Sequence, residues 1–183
     1  QDKISTIADI NRITYSSWFG GYFQNEKNQL AMTAVDQHTY FEIYDEYQLS
    51  ATQLKKWQNT RTGIVIGKEL ADKYQWKVGD AIPLSSSIWM NRDGLFTWQF
   101  IVSAIYHGKN PSTDNKRVFF QHKYFDRARS YSQNSINWLT VQLKAKANSD
   151  QVAKLIDDFL DRGGIAIIAT HLDLALKNKK RAK

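Results

Sequence analysis

An α+β fold, a mixed sheet with short helices that can divide into two small lobes, is predicted by three features of this 183-residue chain. Short apolar, β-branched runs are bounded by glycines and turn residues, as buried strands are. Isolated helical stripes separate them. No regular βαβ alternation runs through the chain, which argues against a doubly wound parallel sheet.

The elements follow in order. Ile4, Ile7 and Ala8 form a short helical stripe leading into a strand over 13–19, which Gly20-Gly21 breaks. Residues 22–29 read as polar loop carrying two aromatics, and 30–35 as a second strand. Ser50 and Gln53 have capping-box spacing, so the Ser50 hydroxyl can accept from the Gln53 amide while Gln53 reaches back. The helix they begin carries Leu54 and Trp57.

Residues 61–84 are the most informative stretch. Gly63-Ile64-Val65-Ile66-Gly67 predicts a buried strand, and Lys68 to Tyr74 a two-turn helix with Leu70, Ala71 and Tyr74 on one face. Lys77-Val78-Gly79-Asp80 predicts a turn in which glycine takes positive φ, and 81–84 a returning strand. Residues 85–96 read as loop or hairpin around Asn91-Arg92-Asp93-Gly94. In the long strand that follows, alternation puts Trp98, Phe100, Val102, Ala104 and Tyr106 on one face and Ile101 and Ile105 on the other. Strands at 118–120 and 135–144 flank a short helix at 124–129. Val152, Leu155, Ile156, Phe159 and Leu160 then give the cleanest amphipathic helix.

Composition bounds function. Aromatics are 13% of the chain and can dominate its core. No cysteine is present, which leaves the redox compartment unreported. Of the net +7, five charges (Lys177, Lys179, Lys180, Arg181, Lys183) crowd the last seven residues. The body is nearly neutral, so no nucleic-acid partner is expected, because a basic footprint has to lie across a folded face. No apolar run approaches the ~20 residues that span a bilayer.

The sequence carries no recognisable catalytic motif. His38, His107, His122 and His171 form no HExxH or HxH spacing. The adjacent acids Asp45-Glu46 and Asp157-Asp158 point in different directions on a helix, which suits solvation better than paired acid–base work. Ser16-Ser17 and Ser85-Ser86-Ser87 lack the GxSxG elbow. No catalytic residue, cofactor or metal ligand is assigned. The aromatic group Trp18, Phe19, Tyr22 and Phe23 admits two readings, core packing or an exposed contact patch. Trp89 and Phe96, beside the 91–94 turn, raise the same choice.

The "Gly-Lys-Glu-Leu-Ala" helix start and the "Lys-Val-Gly-Asp-Ala-Ile-Pro-Leu" turn resemble the extracytoplasmic core domain of MacB/FtsX-type ABC-transporter permeases. Ile13 to Gly21 resembles the first strand after the membrane helix, and Ala34-Val35-Asp36 with Tyr40 to Tyr44 the strand and helix that come next. The resemblance implies a non-catalytic domain between the first two membrane helices of a permease in a bacterial inner membrane, facing the periplasm. It implies coupling of ATP-driven helix movement to substrate export or partner engagement. Expected partners are those membrane helices, a separate ABC ATPase subunit, a second permease copy, and a periplasmic substrate or adaptor protein. The chain starts at Gln1 without a leader, so it is expected to be a soluble segment of a longer permease.

Residues 1–160 are assigned to this domain. Residues 161–183 form an atypical basic tail, a fusion or an appended segment. The tail resembles the end of an ABC ATPase, with His171 matching its switch histidine, yet no GxxxxGK[ST] loop exists to hold nucleotide. Residues 164–169 are expected to be able to add a strand to a sheet edge. The alternative class is a free-standing small-molecule-binding or hydrolytic domain, which requires a closed apolar pocket with convergent polar groups.

Overall fold

The computed structural model describes residues 9–145, 147–159 and 165–169. Its first strand, β1 (Ile10–Trp18), runs through both of the compact units into which the chain divides. One unit is Ser16–Ser135; the other takes its described residues from before and after that segment.

In the Ser16–Ser135 unit, the end of β1 pairs antiparallel with β3 (Gln29–Val35), Trp18 opposite Thr33. Gly20 then bends the chain with φ +62°, and β2 (Gly21–Tyr22) resumes on the same edge, Gly21 opposite Leu30. β5 (Gly63–Gly67), β6 (Ala81–Ser86), β7 (Thr97–Gly108) and β8 (Arg117–Gln121) complete a ring. The pairs β2–β6, β6–β7, β7–β5, β5–β8 and β8–β3 close it, with β7–β5 and β8–β3 parallel. Closure leaves these strands no open sheet edge.

Alternation decides the filling. Met32, Ala34, Ile64, Ile66, Phe100 and Phe120 belong to one buried cluster that centres on Phe19. The opposite faces of the same strands give Val35, Val65 and Phe119, which form a second cluster with Tyr40 and Trp57. Those two come from α1 (Tyr40–Ile43) and α2 (Ala51–Asn59), the helices that cover this side. The Ser50–Gln53 capping box forms in both directions. Trp57 donates its ring N–H to the Gly63 carbonyl at 3.0 Å, fixing α2 on β5. Between the helices, β4 (Tyr47–Gln48) pairs with the end of β7.

The segment 61–84 folds as its sequence predicts. α3 (Lys68–Tyr74) follows β5 directly, and Gly79 takes φ +106° in the turn before β6. The long strand departs from simple alternation. Its register against β5 shifts between Ile64 and Val65, leaving Ser103 as an extra residue between Val102 and Ala104. A bulge of one residue inverts the facing beyond it. Trp98, Phe100 and Val102 therefore fill one cluster, whereas Ala104 and Tyr106 belong to the other, and Ile105 packs against the first. The predicted single face for all five residues is corrected accordingly. Gly63 admits the bulge, since a Cβ there would lie 2.5 Å from the Ser103 hydroxyl.

α4 (His122–Ala128) follows β8 and ends one residue before Arg129, which the sequence reading placed within this helix. In the other unit, β9 (Trp138–Leu143) lies between β1 and β10 (Ile165–Ala169), which pairs parallel to it from Ile165 opposite Trp138. Leu139, Val141 and Leu143 share a buried cluster with Ile10 and with Val152 and Ile156 of α5 (Ser149–Phe159). The stripe at Ile4, Ile7 and Ala8, and His171 with the basic end, lie outside the described residues.

Candidate functional site: an aromatic face on the barrel unit

Ser86 starts the site. Its hydroxyl, 1% exposed, donates to the Phe19 carbonyl at 2.7 Å and accepts from the amides of Ile88 and Trp89. That turn directs the following loop over the end of β1. The Trp89 indole donates to the Trp18 carbonyl at 2.9 Å, and the Trp98 indole donates to the Trp89 carbonyl at 3.0 Å. A side chain on Gly20 would crowd Ile88 and the Trp18 ring, so the close approach depends on glycine.

Arg129 braces the same loop from below. It is 1% exposed, and its guanidinium lies 5.3 Å from the Trp89 ring centre and 4.6 Å from that of Phe125. It pairs with Asp126. Trp89 stacks on Tyr131 at 5.1 Å, and the Tyr131 hydroxyl donates to the Ile88 carbonyl. The Ser130 amide and hydroxyl both donate to the Met90 carbonyl, and the Arg92 amide to the Ala128 carbonyl. At the tip, Asn91 accepts from the Asp93 and Leu95 amides, and Gly94 takes φ +80°.

This scaffold holds apolar side chains in solvent: Trp18, Ile88, Leu95, Phe96 and Tyr131 are 36–57% exposed. A loop kept rigid by so many bonds presents its apolar tips at low ordering cost.

The candidate aromatics separate in three ways. Trp18 and Trp89 are brought together, with Phe96 on the same loop. Phe19 is fully buried and touches Trp98, Phe100, Phe120 and Phe125 edge-on, so it takes the core reading and has no surface to offer. Phe23 packs against Tyr74 and Trp76 in a separate group, and half-buried Tyr22 stands opposite Ser85. Ile88, Leu95, Tyr131 and Arg129 were missed; the only sequence signal for the first two was their nearness to the predicted turn.

Among the described residues no group of three or more His, Cys, Asp or Glu converges as a metal site. His122 and Ser17 do meet, ring Nε2 to hydroxyl at 3.1 Å, with both residues buried. Burial, then the Arg129 charge, lowers the His122 pKa to about 4. The pair is a neutral structural bond inside the wall. A groove of about 670 Å³ runs along β4 and the start of α2, lined by Phe41, Tyr47, Leu49 and Leu54, with the Asp45–Lys109 ion pair beside them. It is open to solvent rather than closed.

A closed barrel flanked by short helices and carrying a braced aromatic face is the architecture of this unit. The chain matches the MacB-like periplasmic core domain over residues 2–159 and belongs to that family. It is therefore a non-catalytic extracytoplasmic domain of an ABC-type permease. Membership implies membrane helices and an ABC ATPase subunit as its working partners. Among solved structures, it is similar to a permease-protein domain from Porphyromonas gingivalis, with TM-score 0.56 and 10% identity over 88% of this chain and 74% of that one. It also aligns with the extracellular domain of the ABC-type transporter YknZ from Gram-positive bacteria, with TM-score 0.49 and 10% identity over 88% and 82% of the two chains. No curated protein matches. No described helix is long and apolar enough to cross a membrane.

Proposed function

We propose that this domain is the periplasmic arm of a bacterial inner-membrane permease, coupling ATP-driven movement of the membrane helices to substrate export or to engagement of a partner. The observation that carries the reading is the braced aromatic face on a closed barrel. A barrel without free edges deforms little, so displacement applied to it reaches the exposed loop undiminished. The aromatic tips are of the kind enriched at interfaces. The contact patch consists of Trp18, Trp89 and Phe96 with Ile88, Leu95 and Tyr131, and it receives a periplasmic substrate, an adaptor protein or a second permease copy. We assign the core domain to residues 1–160, with β10 (Ile165–Ala169) of the following segment joining its sheet through β9.

One substitution tests placement and role together. The chain has no cysteine, so Phe96→Cys in the full-length permease introduces a single thiol into this domain. A membrane-impermeant maleimide is expected to label it from the periplasmic side in intact spheroplasts. Because Phe96 is 48% exposed, folding stability should change by no more than about 0.5 kcal/mol. Basal ATP hydrolysis by the assembled transporter should persist while export falls. Labelling only after lysis would refute the placement, and undiminished export after labelling would refute the patch.

A further inference from the structure

We infer that the segment from α1 to β4 is a flap on the barrel unit whose seating is switched by ionisation of Glu46. The segment is held to the sheet by few main-chain contacts. β4 meets β7 at two positions, Tyr47 opposite Gly108 and Gln48 opposite His107, and among the described residues it pairs with no other strand. Just before them, the Lys109 amide donates to the Glu46 carbonyl at 2.9 Å. Side chains supply the rest of the attachment. The Tyr47 ring lies 4.8 Å from that of Phe119 and 5.1 Å from that of Tyr106, and Tyr44 stacks on Tyr40 at 4.4 Å.

Glu46 does not suit that apolar setting. Its Oε2 is buried and accepts no hydrogen bond. The Lys109 ammonium is already paired with Asp45 at 2.6 Å. Arg117 forms no ion pair with Glu46; it donates to the Thr33 hydroxyl at 3.4 Å, and its guanidinium lies 5.7 Å from the Phe119 ring centre. The groups facing Glu46 are Tyr40 of α1, Asp45 beside it, Tyr47 of β4, Lys109 after β7 and Arg117 of β8. Burial keeps both phenols protonated well beyond neutral pH. Burial also raises the Glu46 pKa above its ordinary 4.5; the Asp45 charge adds to the rise, and its own amide, Lys109 and Arg117 offset part of it.

The consequence is a local equilibrium that depends on pH. Below the raised value a neutral carboxyl lies against the barrel at modest cost, and the flap stays down. Above it, a carboxylate without a partner is held out of water, which is costly. Lifting β4 from β7 carries that charge into solvent, where its pKa is ordinary. Opening therefore increases as the pH rises from 4.5 through the raised value, and levels off beyond it. Phe41, Asp45 and Tyr47 line the open groove of about 670 Å³, so the seating of the flap also sets the width of that groove. The switch belongs to the barrel unit alone and is independent of what its aromatic face receives.

NMR-detected hydrogen exchange on the full 183-residue chain tests it at the Lys109 amide, whose bond to the Glu46 carbonyl breaks when the flap lifts. Glu46→Gln, which stays neutral, should slow that exchange about fivefold or more relative to the parent at pH 7.5, and by no more than about twofold at pH 4.5. Comparing two chains at one pH cancels the intrinsic chemistry of exchange. The Val65 amide in β5 should change less than about twofold at either pH. Glu26→Gln removes the same charge from an exposed loop and should match the parent. Slowing that is equal at both pH values, shared by Val65 or reproduced by Glu26→Gln would overturn the switch. So would a Lys109 amide that Glu46→Gln leaves unchanged at pH 7.5.

Discussion

His122 is neutral in the folded protein at any pH above its lowered value of about 4. In the unfolded chain it titrates near its ordinary 6.5. Between these two values the unfolded state binds more protons, so the contribution of His122 to stability is complete above pH 6.5 and declines as the pH falls toward 4. The slope is about 1.4 kcal/mol per pH unit, which makes the loss at pH 5 about 2 kcal/mol. Urea unfolding of the parent and of His122→Gln at pH 7 and pH 5 isolates it: the parent should lose about 2 kcal/mol more than the variant. Parallel losses would show that the ring is not desolvated as described. Phe19 poses the opposite kind of test, since it is wholly apolar and contacts four aromatic rings edge-on. Phe19→Ala should cost about 3–5 kcal/mol in the same measurement. A cost under 1 kcal/mol would place the barrel core elsewhere.

At the scale of elements, the junction of β5 and α3 is the least forgiving point. A Cβ on Gly67 would lie 2.0 Å from the Asn115 carbonyl oxygen and 2.3 Å from its carbon, both backbone atoms that no rotamer change can move. Gly67→Ala should therefore cost about 2–4 kcal/mol by denaturant midpoint, more than Gly79→Ala. Gly79 has open space around it and meets only the strain of φ +106°. These elements were legible beforehand because their signals are local. The glycines bounding 63–67, the Ser50–Gln53 box and the Gly79 turn each act within a few residues. The β7 bulge was not legible, since Ser103 differs from its neighbours by nothing the alternation can register; the shift arises from pairing with β5, and Gly63 makes room for it. Arg129 was unreadable for the same reason. A charged residue at a helix end ordinarily faces water; here Phe125 and Asp126 of its own helix line one side, and Trp89 from a distant loop and Ser135 complete the burial.

For the whole molecule, the mixed α+β character followed from strand and helix runs, while closure of the ring did not. Closure depends on β3 pairing with β8, Ala31 opposite Arg117, across a separation no periodicity encodes. The candidate patch was half legible. Composition gathered the aromatics, but burial divided them, sending Phe19 inward and leaving Trp18 and Phe96 in solvent. The resemblance of residues 61–84, with those of 13–21 and 34–44, pointed to the family that residues 2–159 match.

The interruption of one unit by the other has a consequence for biosynthesis. A chain emerging amino-terminus first presents the whole of Ser16–Ser135 before β9 exists, whereas β1's first residues must wait for β9 across that entire segment. At about 5–20 residues per second of synthesis, the interval is several seconds. The Ser16–Ser135 unit can thus mature before β9 and β10 of the other unit have been made. Expressed alone, 16–135 should melt cooperatively, with buried Trp57 and Trp98 shielded from quencher and Trp18 accessible to it. A non-cooperative melt would mean that the later strands take part in closing the ring.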